Sequence, residues 1–488
     1  MKILAQLSIP PLQPSKSDRF LRGFLFGCLL MYLCAGSALA GSVQGGAAIV
    51  DITPKKWPLR LVGSFSERLA DSVHDPLHAR SIALSDGETT IVLTVVDNCL
   101  IRRDVLDAAK AIASEKTGIP TDHMMISATH THTAPTTTAS AGTEAEVEYR
   151  RQAIEGIAEA MIKAHGAMQS AQVGWGGDAV PDEVFNRRWF IKPSSMPLNP
   201  FGEKTDIVKM NPKRDSNLIS PAGPTDPEVS VLSVRDARGK PLALLGNYPL
   251  HYVGGIPPNK VSADYFGEFC RLIGVRLRAR NDRFVGILSN GTSGNINNIN
   301  FFEGRPPREP FEQIRIVAAK VADAAYFADR KANYQSDLSI DMLEHVVPLK
   351  VRKPDADLVR RCQAYLEKED DDKELPRLAK HYAKRVLNQM KEPDRIEMKV
   401  QVIRIGDLAI CTLPFEVFAE IGLELKKQSP FADTFVIELA NGAYGYLPTR
   451  EQHVFGGYET WLTTNRVQLD ASDILIEELE KMMAQLKK

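Results

Sequence analysis

The sequence predicts an α/β fold of mixed α+β character, with layered β-sheets flanked by helices in one domain. Three observations predict it. β-branched runs of strand length, such as 90–97 and 228–235, alternate with stretches whose apolar residues recur at helical spacing, such as 103–116 and 143–168. No segment repeats, and no Pro-, Gly- or Ser-rich linker divides the chain. Of the 488 residues, 44% are apolar and 25% charged, the balance of a chain that buries a substantial core.

The first forty residues stand apart from this pattern. Lys16, Arg19 and Arg22 precede an apolar run over 23–34, and Ala38-Leu39-Ala40 supplies the small residues of a cleavage site. That order predicts a signal peptide over 1–40 and a folded chain over 41–488, secreted or periplasmic. The apolar run is short for a bilayer span, and an uncleaved membrane anchor is the alternative. Cys28 and Cys34 fall in this segment. Cys99, Cys270, Cys362 and Cys411 are far apart, lack CxxC spacing and sit in apolar contexts, so buried free thiols are expected.

Beyond residue 47 the elements follow in order. A strand is expected over 90–97, a helix over 103–116 that stops at Gly118-Ile119-Pro120, and a short strand over 124–128. A long helix over 143–168 is followed by strands over 228–235 and 242–248, a helix over 264–280 and a strand over 284–288. The stretch 190–227 is rich in Pro, Asn, Lys and Ser without a period and reads as a long surface loop. Residues 354–393 read as a charged helical insertion. Its Glu369-Asp370-Asp371-Asp372 run is interleaved with Lys and Arg, which predicts a solvated surface and not a cation site. Gly406-Asp407 joins strands over 398–405 and 407–413 as a hairpin. A helix over 415–427, a strand over 434–439 and a closing helix over 469–486 complete the chain.

Five segments carry residues with chemical potential. Ser127-Ala128-Thr129-His130-Thr131-His132-Thr133-Ala134-Pro135 follows a strand. Histidines at i and i+2 on extended backbone project to one face, so His130 and His132 can reach one ion or one substrate atom, or serve as ordinary hydrogen-bonded histidines. His251 ends an apolar run and leads into Gly254-Gly255, either as a core histidine or at a ligand site. Glu416 stands among Leu413, Phe415, Val417 and Phe418, where a carboxylate must be paired, protonated, metal-bound or placed in the first turn of a helix. The loop 288–298 is dense in Gly, Ser and Asn and could offer backbone N–H groups to an oxyanion, or be a plain turn. Tyr444, Tyr446 and Tyr458 lie between glycines, a setting for hydroxyls that face a site.

In this order, from Ile49-Val50-Asp51-Ile52-Thr53-Pro54 to the Tyr458 region, the segments resemble the neutral, non-lysosomal ceramidases. The most specific pieces are Ser-Ala-Thr-His-Thr-His and the Tyr446/Tyr458 pair. The resemblance implies the catalytic domain of that family and one Zn2+ bound by His130, His251, Glu416 and Tyr446. It also implies proton transfer by His132 and a substrate carbonyl held by Arg187 and Tyr458. Asn297 stands where the family has a serine, which sets the substrate apart from the rest of the inference.

The expected function is therefore zinc-assisted hydrolysis of an amide bond in a small-molecule or lipid substrate of the ceramide-like N-acyl class. A lipid substrate would bring peripheral contact with a membrane. The alternatives are the same zinc site acting on another ester or amide, or a binding protein that keeps the fold without turnover. A formal net charge of −1 and the lack of a basic patch exclude nucleic acid as an expected partner.

Overall fold

In the computed structural model, which describes residues 43–138, 142–279 and 283–488, the longer strands collect into two large sheets, and strands such as Thr90–Val96 and Leu408–Thr412 are buried on both faces. The segment read as a signal peptide lies outside the described residues. The unit Ser42–Lys488 contains everything that follows.

The larger sheet has eight strands: β1 (Gln44–Asp51), β2 (His78–Ser85), β3 (Thr90–Val96), β4 (Met124–Ala128), β5 (Gln169–Ala179), β6 (Glu228–Asp236), β7 (Pro241–Tyr248) and β8 (Val285–Asn290). Their order across the sheet is β8-β7-β6-β5-β1-β2-β3-β4. Neighbours are antiparallel except at the two ends, where β3 runs parallel to β4 and β7 parallel to β8. Parallel neighbours need a crossover, and helices supply it. Helix α1 (Arg103–Thr117) joins β3 to β4, and α3 (Asp264–Arg276) joins β7 to β8; α2 (Glu144–Gly166) lies between them in the chain.

The second sheet contains β9 (Ile340–Lys350), β10 (Arg395–Ile405), β11 (Leu408–Thr412) and β12 (Asp433–Ile437), in that order. The β10–β11 hairpin turns at Gly406, whose φ of +59° suits glycine. β11 and β12 are again parallel, with Ala419–Gln428 between them. The fold thus holds three strand–helix–strand units with parallel strands.

Period-two alternation places the core. Ile91, Leu93 and Val95 of β3, with Met125 of β4, join Ile403, Ile405, Ile410, Phe435 and Ile437 in one cluster between the sheets. The intervening Val92, Val96, Met124 and Ile126 pack outward against α1 and α2. Ala409, Cys411 and Val436 likewise face the closing helix, Ala471–Lys487. Strands buried on both sides read as continuous apolar runs, which is why they were visible in the sequence.

Local signals agree with most of the boundaries. Thr143 caps α2 through a complete capping box with Glu146, and Gly118 ends α1 at φ +76°. The charged insertion is two helices, Ala356–Glu367 and Ala379–Gln389, closed over Cys362, Tyr382 and Val386. Its acids pair locally, Asp370 with Lys380 and Asp372 with Lys368. Cys99, Cys362 and Cys411 are buried free thiols; Cys270 is free and half-buried.

Two expectations are corrected. The stretch 190–227 is not a plain loop: Val208–Met210 and Leu218–Pro221 flank Arg188–Ile191 in a three-stranded sheet. Helix does not begin at 415, because Glu416–Val417 is a short strand paired in parallel with Tyr446–Leu447. Apolar runs too short to show a period cannot distinguish the two. Among the described residues no helix is long and apolar enough to cross a membrane.

Candidate metal centre and active site

Each of the three parallel units contributes a loop at the carboxyl end of a strand, and these loops meet. Such crevices are where open α/β sheets bind ligands. His130 follows β4, His251 follows β7, and Glu416 follows β11. The Nε2 atoms of His130 and His251 are 2.9 Å apart, and Glu416 Oε2 lies 3.3 Å from the first and 3.7 Å from the second. All three side chains are almost wholly buried.

The other nitrogen of each ring fixes what this cluster can be. His130 Nδ1 lies 2.7 Å from the Cys99 carbonyl oxygen, so it carries a proton and donates it. His251 Nδ1 faces the Ser293 carbonyl at 3.2 Å and its hydroxyl at 3.3 Å. With both Nδ1 positions protonated, both Nε2 atoms present lone pairs. Two lone pairs at 2.9 Å repel unless a cation sits between them. Glu416 Oε2 adds a third, being buried without a hydrogen-bond partner. A proton or a metal ion satisfies all three, and groups of this kind are the usual ligands of zinc.

The electrostatics agree. Burial opposes charge on His130, but Cys99 and Glu416 beside it prevail and hold its pKa well above the ordinary value. Burial, and then the charge on His130, push His251 and His132 well below it. Burial raises the Glu416 pKa, but His130 and Tyr446 outweigh it, so the carboxylate stays ionised. One positive charge at the focus of the cluster is therefore the favoured state.

The second histidine of the pair reaches the same focus by a different route from the one expected. β4 ends at Ala128, and His130 adopts φ +74°, so the pair lies on a turn and not on extended backbone. Such a conformation is costly for a side-chain-bearing residue and persists only where its surroundings enforce it. Here the Asn98 carbonyl accepts from the His130 amide at 2.8 Å. His132 Nε2 comes to 3.1 Å from His130 Nε2, with its ring stacked on Tyr252 at 3.8 Å. Arg68 Nη2 donates to the His132 carbonyl at 2.6 Å, and Gly63, at φ +92°, passes so close that a Cβ would press into the His132 ring.

The remaining expected residues border this point. Tyr446 is buried and is Glu416's direct partner in the parallel ladder. Burial and the Glu416 charge push its pKa well up. Arg187 Nη1 donates to His251 Nε2 at 3.2 Å, and its buried Nη2 has no partner. Tyr458 packs edge-on to Tyr446 at 5.5 Å, and burial pushes its pKa up, so it stays a neutral phenol.

One residue was missed. Glu459 is fully buried and accepts from Arg187 Nε at 2.9 Å and Arg188 Nη1 at 2.7 Å, which aims Arg187 at the cluster. The sequence sets this acid beside a site tyrosine, but nothing local ties it to an arginine 272 positions away. The loop 288–298 offers no oxyanion hole at the glycines: the amides of Gly291, Ser293, Gly294 and Ile296 are all bonded within the protein. Asn297 donates to Asn211 Oδ1 at 2.6 Å and accepts from the Ile299 amide, so its side chain serves local structure.

The family described as neutral/alkaline non-lysosomal ceramidase, N-terminal, matches residues 44–300, more than half of the chain. The chain belongs to this family. The ceramidase family match contains His130, His132, Arg187 and His251, whereas Glu416, Tyr446 and Tyr458 lie beyond it. Neutral ceramidase from Pseudomonas aeruginosa has the same fold, with a TM-score of 0.68 and 18% identity over 91% of this chain and 74% of that one. A structure described as ceramidase complexed with C2 is similar at 0.67 and 17%, over 91% and 75%. No curated protein matches the chain in sequence. Membership implies a hydrolase of amide bonds, and the buried histidine–glutamate cluster is a candidate metal site within it.

Proposed function

We propose that the chain is an exported zinc-dependent amidase that cleaves the N-acyl bond of a ceramide-like lipid, with residues 41–488 as its hydrolase domain. The observation that carries this reading is the convergence of three buried lone pairs, on His130, His251 and Glu416, with both Nδ1 atoms engaged elsewhere. Imidazole and oxygen donors of this kind suit zinc, and no thiolate is needed. Tyr446, beside Glu416, completes the set.

The chemistry such an ion supplies when bound is Lewis acidity and a water acidified to a pKa of about 7. The protein's own residues account for the rest. His132, with Nε2 turned to the cluster, accepts a proton from the attacking water and returns it to the leaving amine. Arg187, with Nη1 at His251 and a buried, unpartnered Nη2, stabilises negative charge developing on the carbonyl oxygen. Tyr458, kept neutral, donates a hydrogen bond to the same oxygen. Burial of these side chains shields them from bulk water and strengthens each of these interactions.

Metal analysis of the purified protein, paired with hydrolysis of a panel of N-acyl amides and esters including ceramide, tests the reading. About one zinc per chain is expected, with zinc and activity lost together in His130→Ala. Hydrolysis of esters alone would replace the amide assignment, and a metal-free protein after zinc-replete purification would overturn the mechanism.

A further inference from the structure

Three strands deliver the cluster, and Glu438, the residue that follows the neighbouring strand β12, is not one of its members. It is fully buried. Its Oε1 accepts from the Ser293 hydroxyl at 2.7 Å, while Oε2 accepts from the Ser293 amide at 3.2 Å and the Val417 amide at 2.7 Å. Its own amide donates to the Asn290 carbonyl. Ser293 is the residue that faces His251 Nδ1, and Val417 directly follows Glu416. One side chain thus ties the loop that orients His251 to the strand that carries Glu416. The two are also joined directly, since the Gly294 amide donates to the Val417 carbonyl at 2.7 Å. A Cβ on Gly294 would collide with the Glu416 backbone.

We propose that Glu438 is the positioning residue of the metal centre, holding His251, through Ser293, and the Glu416 strand in one fixed relation. The proposal rests on the metal reading above and adds a residue that touches neither the ion nor the substrate. Outer partners of metal ligands fix ring orientation, and their loss typically weakens metal binding about 10- to 100-fold. The role is geometric. A glutamine retains it, because its carbonyl oxygen can accept from both amides while its NH2 donates to the Ser293 hydroxyl. An alanine cannot.

The test is zinc affinity, measured by chelator competition on the purified full chain, together with the visible absorption of the Co2+-substituted protein. Glu438→Ala is expected to raise the zinc Kd about 10- to 100-fold and to alter the Co2+ bands. Glu438→Gln is expected to restore both to near the unaltered values. If Glu438→Ala does not fold, Ser293→Ala removes the hydroxyl that bridges Glu438 and His251 while leaving the backbone amide contact, and is expected to weaken zinc about 10-fold. Unaltered zinc affinity in the alanine variant that can be measured would overturn the positioning role alone, as would a glutamine variant as weak as alanine. Absence of zinc from the unaltered protein would overturn the metal reading and this proposal with it.

Discussion

His132 is the side chain whose placement depends most on a single small neighbour. Gly63 adopts φ +92° and leaves no room for a Cβ beside the His132 ring. Gly63→Ala must therefore move either the Gly63 backbone or the imidazole. Misplacing a reacting group by about 1 Å can cost on the order of 100-fold in rate. Turnover is expected to fall by about that factor, while bound zinc stays at the parental level; a fall in zinc content to match would show that the loop supports the ligands instead. The histidine pair, His251 and Glu416 were legible as chemical types, because an acid or a histidine in an apolar run demands explanation. Their mutual placement was not, since it depends on a turn at His130 that a strand pattern conceals. Glu459 was illegible as a partner of Arg187 because hydrogen bonds across 272 positions leave no local trace.

At the scale of elements, helix α1 carries a charge it does not need for folding. Lys110 is fully buried, its Nζ has no hydrogen-bond partner, and Glu344 is 3.6 Å away. Burial lowers its pKa from 10.5 to about 8. Between those values the unfolded chain binds a proton that the folded chain does not, so stability rises with pH across the window. Below about pH 8 both states are protonated and the full penalty of burying the charge applies. Lys110→Met is therefore expected to stabilise the protein by on the order of 3 kcal/mol at pH 7, with the advantage fading toward pH 10.5. Denaturant unfolding at pH 7 and pH 10 checks this; equal stability gains at both values would show that packing, not charge, is responsible. Elements with strong end signals, such as the Thr143 capping box and Gly118, were legible close to their boundaries. The strand Glu416–Val417 was not, because its partner Tyr446–Leu447 is remote in sequence and two residues carry no periodicity.

At the scale of the whole molecule, the two sheets depend on each other. The inner face of the larger one, including Ile82, Leu93 and Met125, is covered by Ile403, Ile410 and Phe435 of the smaller. A fragment limited to 44–300 would expose that face to water and lack Glu416 and Tyr446. It is expected to show no cooperative unfolding transition and to bind no zinc with the affinity of the full chain; a sharp thermal transition in the fragment would refute this. The layered class was legible because double-sided burial leaves continuous apolar runs, whereas strand order was not, because it is settled by contacts between distant segments. The distribution of the cluster along the chain also has a consequence for the protein's birth. His130, His251 and Glu416 leave the ribosome at well-separated times, the first two long before the third. A nascent chain therefore has no assembled centre until Glu416 has been made and joined to the earlier strands. The centre cannot exist before all three units have met, and it is lost when any one of them comes loose.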